Sequence, residues 1–175
     1  DRMLGTLTKK MRHRVLYTEF SNLSVKMFGY KSFRRHDYFP VHWMSIHNSL
    51  HNKEPEERLG ERTLRHIRNA EAKGVTTTEV ASEADFQAFI HLLRRHNRLK
   101  PRHYIPDNSF FKGLMQTDSA RLFLTRYKTH PVGCCACVYS EGNAYLWYIA
   151  SLRKTYLPLH PDTVTVWAAI RDAYN

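Results

Sequence analysis

From residue 54 onward, apolar positions recur first at helical and then at strand spacing. In EPEERLGERTLRHIRNAEAKG (54–74), Leu59, Thr63, Leu64, Ile67 and Ala70 fall on one side of a helix. Arg58, Arg62, Arg65 and Asn69 fall on the opposite side, with Arg68 at its flank. Pro55 suits a first turn and Gly74 a C-terminal cap, so a helix is predicted over 54–74. VTTTEVA (75–81) is a β-branched run and predicts a strand. Ser82, with Asp85 three residues on, opens a helix in the manner of a capping box. Phe86, Phe89, Ile90 and Leu93 form its apolar stripe. A shorter helix over 107–116 takes Asp107 or Asn108 as its N-cap. ARLFLTRY (120–127), VGCCACVYS (132–140) and AYLWYIAS (144–151) follow, separated by turns, and predict a three-stranded meander. A last helix begins near Pro161.

The first third is patterned less clearly. Residues 11–20, MRHRVLYTEF, end in a β-like alternation, 24–28 suggest a short helix stopped by Gly29, and 32–46 read as an extended stretch broken by Pro40. Residues 1–53 are therefore expected to supply N-terminal strands and a basic segment, belonging to the same unit or to part of a preceding one. Residues 54–175 form the core. From residue 75 the order is strand, helix, helix, strand, strand, strand, helix. That order predicts an α+β fold with helices covering a largely antiparallel sheet. The chain does not begin with Met and stops at Asn175 just after an apolar helix, so a fragment is expected. No run approaches the roughly 18 apolar residues of a membrane span.

The formal charge is +11 over 175 residues. Residues 1–103 hold 20 Lys/Arg against 11 Asp/Glu, whereas 104–175 hold 7 against 5. The excess points to an anionic partner: RNA, a nucleotide, a lipid pyrophosphate or a membrane surface. Cys134, Cys135 and Cys137 crowd into four residues, a poor disulfide framework that fits a reducing compartment. Alternation puts Cys135 and Cys137 on one face of a strand and Cys134 on the other, where small thiols pack as apolar groups. His47 and His51 have i,i+4 spacing but lack the glutamate and further ligands of a zinc site, so no metal is expected.

Short motifs then carry a family resemblance. YTEFSNL (17–23), ERTLRHIRNAEAKGV (61–75) and LWYIAS (146–151) followed by HPDTVTVWAAIRDA (160–173) resemble segments of the FemAB-type, peptidoglycan-bridge aminoacyltransferase branch of the GNAT (acyl-CoA N-acyltransferase) superfamily. The resemblance implies a GNAT-like mixed, largely antiparallel sheet flanked by helices and truncated before its last strands. Ser21 stands where that branch carries Arg, and Tyr38 where it carries Asn. The branch's downstream Asp-Phe strand and basic C-terminal segment lie beyond Asn175.

In most GNAT enzymes a glycine-rich loop after the central strand offers backbone N–H groups to the coenzyme diphosphate at a helix N-terminus. Between Ser151 and Pro161 this chain has Arg153 and Lys154 but no glycine. Asp162 is expected to cap the last helix with its own carboxylate and so to repel a phosphate. Acyl transfer to an amine needs a polarised carbonyl and a path for a proton. Backbone N–H groups near Tyr148–Ser151 are candidates for the first task. Tyr148, Ser151 and Tyr156 are candidates for the second, against the alternative that strand aromatics are core. Arg58, Arg62 and Arg65, with Arg153, Lys154 and Trp167, are the candidate substrate-binding residues. The alternative for the arginine stripe is a solvated face in which Glu61 pairs with Arg65. A second basic cluster, Arg94, Arg95, Arg98, Lys100 and Arg102, offers contacts to RNA phosphates.

The resemblance implies a transferase that moves an acyl or aminoacyl group to an amine of a cell-wall or glycan precursor. The donor is an aminoacyl-tRNA or an acyl-CoA, and the acceptor is phosphorylated or lipid-linked. The partners then include tRNA or a peripheral membrane contact, at a cytoplasmic location or the inner face of the membrane. Two alternatives stay open: a basic nucleic-acid-binding module without chemistry, and a GNAT-like scaffold that has lost catalysis.

Overall fold

The computed structural model describes residues 2–20, 29–40, 48–100 and 104–175. The chain divides into two compact units, Asp1–Asn48 and Ser49–Asn175.

The first unit is helical where strands were expected. Helix α1 spans Arg2–Met11 and α2 spans Tyr30–Arg35. Leu4, Leu7, Thr8 and Met11 recur at helical spacing and are the half-buried face of α1. Gly29, at φ 76°, turns the chain into α2, the left-handed conformation that glycine adopts without steric cost. Phe20, Phe33 and Tyr38 meet edge to face, with ring centroids 5.2, 5.2 and 5.9 Å apart. The tyrosine hydroxyl lies 3.1 Å from Thr8 Oγ1. The alternation at 15–19 has no strand to pair with among the described residues, and Val15, Leu16 and Tyr17 stay exposed. The expected helix over 24–28 and the part of the extended stretch over 41–46 lie outside the described residues, as do Ser21, His47 and Arg102.

The second unit opens with a 3-10 turn, Pro55–Arg58, followed by α3 over Glu61–Ala72. The single helix expected over 54–74 is thus broken at Leu59–Gly60, because the proline starts a turn that closes before Gly60. Beyond the break the pattern holds. Ile67 and Ala70 are buried, and Gly74 ends the segment at φ 88°.

Strands β1 (Val75–Glu79), β2 (Ala120–Tyr127), β3 (His130–Ser140) and β4 (Asn143–Ser151) form one antiparallel sheet in the order β1-β2-β3-β4. Helices α4 (Glu83–Asn97) and α5 (Asn108–Met115) cover one face. Helix α6 (Pro161–Tyr174) covers the other, with α3 packed beside it. The caps form as the residue types require: Ser82 Oγ accepts from the Asp85 amide at 3.1 Å, and Asp107 accepts from the Phe110 amide at 3.1 Å. With both faces covered, β3 is buried at every position from Val132 to Cys137. Cys134 packs among Phe89, Leu93 and Phe111 on the α4 face. Cys135 and Cys137 pack against Phe123 and Ala169 on the α6 face. Burial pushes all three thiols up from their ordinary range, which keeps them protonated and inert.

Candidate active site

Strand β4 stands at the edge of the sheet, and its register to β3 slips by one residue. Ala136 pairs with Tyr148 and Cys137 with Leu146, so Trp147 is the extra residue of a β-bulge. The bulge bends the strand and leaves Leu146, Trp147 and Ile149 more than a third exposed. Tyr148 turns to the α5 face, where its ring meets Phe111 at 5.2 Å and Phe110 at 6.3 Å. Burial and then neighbouring Tyr104 raise its phenol above the usual range, so at neutral pH it is a proton donor.

Ser151 ends β4. Its carbonyl accepts a hydrogen bond from His96 Nδ1 on α4 at 3.1 Å, and His96 Nε2 lies 2.8 Å from the Lys100 ammonium. With Nδ1 as donor to the carbonyl, Nε2 is left as acceptor from Lys100. No local pattern marks His96: its partner is 55 residues away.

The chain then runs through a 3-10 turn, Leu157–Leu159, to His160, which takes the left-handed conformation (φ 42°) at the start of α6. The His160 ring stacks on His66 of α3, with centroids 3.9 Å apart and planes 6° from parallel. Desolvation, then His160, Arg62 and Arg65, hold the His66 imidazole below its usual range. Arg62 and Arg65 are exposed on α3, on the helix that carries this histidine. Arg58 departs from the predicted stripe. It sits on the 3-10 turn and donates from Nη2 to the His51 carbonyl.

Asp162 does not cap α6. It occupies the second helical position, makes no capping hydrogen bond, and pairs through Oδ2 with Arg153 at 3.1 Å. The chain reverses at His160 and Pro161, which leaves Asp162 inside the first turn, where its side chain cannot reach the helix's own free amides. Its Oδ1 is buried with no hydrogen-bond partner among the described residues. That carboxylate lies on an open groove of about 370 Å³ lined by Leu59, Thr63, Ile67, Ile149, Val166 and Trp167. Trp167 is 5% exposed and has the Arg171 guanidinium over its ring at 6.0 Å. Lys154 is exposed in the turn after β4.

The structure therefore brings Arg153 to Asp162, and Arg62 and Arg65 to the histidine stack at the start of α6. It separates Tyr148, on the α5 face, from Trp167, on the α6 face. Among the described residues no group of three or more His, Cys, Asp or Glu side chains is placed to hold a metal, and no helix is long and apolar enough to cross a membrane.

An antiparallel sheet with helices on both faces, and a bulged edge strand leading into α6, is the GNAT-like arrangement that the comparison with known families supports. The family model of the acetyltransferase (GNAT) domain matches residues 58–175, and the chain belongs to that family. A comparison with curated proteins finds no match. Among solved structures, an aminoglycoside acetyltransferase from an uncultured soil metagenomic sample, in complex with sisomicin, is similar at a TM-score of 0.41 and 15% identity, over 58% of this chain and 73% of that one. The ribosomal-protein-S18-alanine N-acetyltransferase of Escherichia coli is similar at a TM-score of 0.41 and 13% identity, over 54% of this chain and 59% of that one.

GNAT acetyltransferases use acyl-CoA donors, and a diphosphate cradle at the strand-to-helix junction is the place to test the fit. The residues there do not fit one. Leu152–His160 contains no glycine, Pro161 removes an amide from the first helical position, and the Asp162 carboxylate already holds Arg153.

Proposed function

We propose that the protein is an N-acyltransferase that moves an acyl or aminoacyl group from an activated carrier to a primary amine of a phosphorylated or lipid-linked cell-wall or glycan precursor. The observation that carries this reading is the bulged edge of β4 within a chain of the GNAT family. The amine lone pair forms the new C–N bond at the carbonyl carbon, and the C–O or C–S bond to the carrier breaks with its electron pair. The proton lost by nitrogen ends on that leaving group. Tyr148, protonated at neutral pH on the α5 face of the edge strand, is the proposed proton handler, and Ser151, opposite Gly133 on the α6 face at the end of that strand, is its alternative. Arg62 and Arg65 carry the acceptor phosphate, with Lys154 a further cation beside β4. Arg153 contributes only when its pair with Asp162 opens. Trp167 lines the wall of the α6 groove. The unfitted junction favours an aminoacyl-tRNA, or another carrier that needs no diphosphate cradle, over acyl-CoA.

The test is direct. The protein is incubated with an aminoacyl-tRNA or an acyl-CoA and with amine acceptors with and without a phosphate, and products are read by mass. A product heavier by one acyl group, formed faster with the phosphorylated acceptor, supports the reading. Absence of product with every donor and acceptor pair sinks it.

A further inference from the structure

Helix α4 has a second face with no part in the site above. Gln87, His91, Arg94, Arg95 and Arg98 recur at helical spacing and, with Ile90 and with Asn108 of α5, line an open groove of about 630 Å³. Among the described residues no carboxylate lines it, and the nearest acids act at its ends: Glu83 Oε1 accepts from Gln87 Nε2 at 2.8 Å, and Asp107 attracts Arg94. Arg94 is partly committed, donating from Nη2 to Asn108 Oδ1 at 2.8 Å. Arg95 and Arg98 are exposed and have no ion-pair or side-chain hydrogen-bond partner among the described residues.

Unpaired guanidinium groups crowded along a concave surface repel one another, and that arrangement is relieved by an anion that matches their planar forks. From Gln87 to Arg98 the stripe runs about 16 Å along the helix at about 1.5 Å per residue. A lone phosphate ester covers only a turn of that length. A ligand carrying phosphates in series covers all of it. The groove is concave, which suits a strand and not the flat surface of a bilayer. Among the described residues its lining has no Phe, Tyr or Trp ring and the His91 imidazole is its one ring, so contacts fall chiefly on the phosphates. His96, between Arg95 and Arg98 in sequence, is the residue bonded to the Ser151 carbonyl, so the same helical turn abuts the end of β4.

We propose that this groove of α4 binds the phosphate backbone of a single-stranded nucleic acid without regard to sequence. Arg95 and Arg98 make the principal contacts and Arg94, His91 and Gln87 extend them. Binding at this groove needs no acyl transfer, so it is read by binding alone.

The experiment measures anisotropy of a labelled single-stranded RNA oligonucleotide against the full chain over a salt series. Arg95→Ala/Arg98→Ala is expected to weaken binding roughly tenfold and to lower the slope of log K against log salt by about 1.4, the loss of two phosphate contacts. Arg95→Lys/Arg98→Lys is expected to keep the slope while losing affinity, since charge stays and the fork is gone. Lys9→Ala/Lys10→Ala on α1 removes equal charge elsewhere and is expected to change neither. Equal losses in the α1 and α4 variants would mean diffuse attraction and overturn the proposal, as would no binding by the unaltered chain. Inorganic diphosphate is added against sulfate at equal ionic strength. Selective displacement of the RNA by diphosphate assigns the groove to a small phosphate ligand and also overturns it.

Discussion

Gly133 on β3 lies directly against Thr165 on α6. A β-carbon on that glycine would stand 2.3 Å from the Thr165 hydroxyl oxygen and 3.1 Å from the Pro161 carbonyl. Thr165 Oγ1 donates to that carbonyl at 2.6 Å and is 2.6 Å from Thr125 Oγ1, which is 2.8 Å from Thr77 Oγ1. A chain of buried and half-buried hydroxyls thus stitches the start of α6 to β1 and β2, and the missing side chain at Gly133 makes room for it. Gly133→Ala is expected to cost about 1–3 kcal/mol, the usual penalty of overpacking, read from urea denaturation. Adding Thr165→Ala removes the atom in the way, so the double variant should lose less than the sum of the single losses.

Arg153 and Asp162 pair at 3.1 Å at the strand-to-helix junction, where the carboxylate is expected to oppose an anion. Asp162→Asn is expected to raise the affinity of the α6 N-terminus for inorganic diphosphate, measured by calorimetry at low salt. It should alter stability little, because the Arg153 side chain is 60% exposed and such pairs are screened. No gain in diphosphate affinity would show that the missing amide and glycine, not the carboxylate, exclude the ligand.

The stacked imidazoles predict a pH dependence. His66 is held below the ordinary histidine value of about 6.5. The unfolded chain therefore binds a proton that the folded one resists, in the window from about 6.5 down to the lowered value. Stability is complete above that window and falls as pH drops through it. His66→Gln is expected to flatten the difference between urea midpoints at pH 7.5 and pH 5.5. An unchanged difference would assign the dependence to other groups.

Tyr148 separates packing from chemistry. Tyr148→Phe keeps the ring against Phe110 and Phe111 and removes only the hydroxyl. Under the proposed mechanism the variant retains its fold by circular dichroism and loses roughly 10²-fold in turnover, the scale of one proton-transfer group. Turnover at the unaltered rate would return the residue to the core.

The cysteines should be silent in the native protein. All three are buried, and burial disfavours each thiolate. A thiol reagent at neutral pH is expected to label none of them until denaturant is added, at which point all three react together.

Where pattern and packing agree, the fold was legible residue by residue. Phe86, Phe89, Ile90 and Leu93 announced α4, Ser82 and Asp107 announced their caps, and alternation put Cys134 opposite Cys135 and Cys137. These depend on spacing along one segment, and spacing is what a sequence records. The first unit failed the same reading. Its alternation at 15–19 is as good a strand signal as any, but a strand exists only when another one pairs with it. Arg58 misled for a related reason: Pro55 closed a 3-10 turn ahead of Gly60 and took that arginine off the stripe.

The site needed distances that no spacing contains. Which residue slips out of register in β4, which imidazole lies on His160, which carbonyl accepts from His96 Nδ1 and which guanidinium holds Asp162 are all contacts between different elements, from 9 residues apart for Arg153 and Asp162 to 94 for His66 and His160. The sequence alone determined the helices and strands of the second unit from Glu61 onward and the faces they bury, because hydrophobic periodicity acts locally. Tertiary structure decided which polar groups of different elements pair, because a hydrogen bond is made by two atoms within about 3 Å whatever number of residues lies between them.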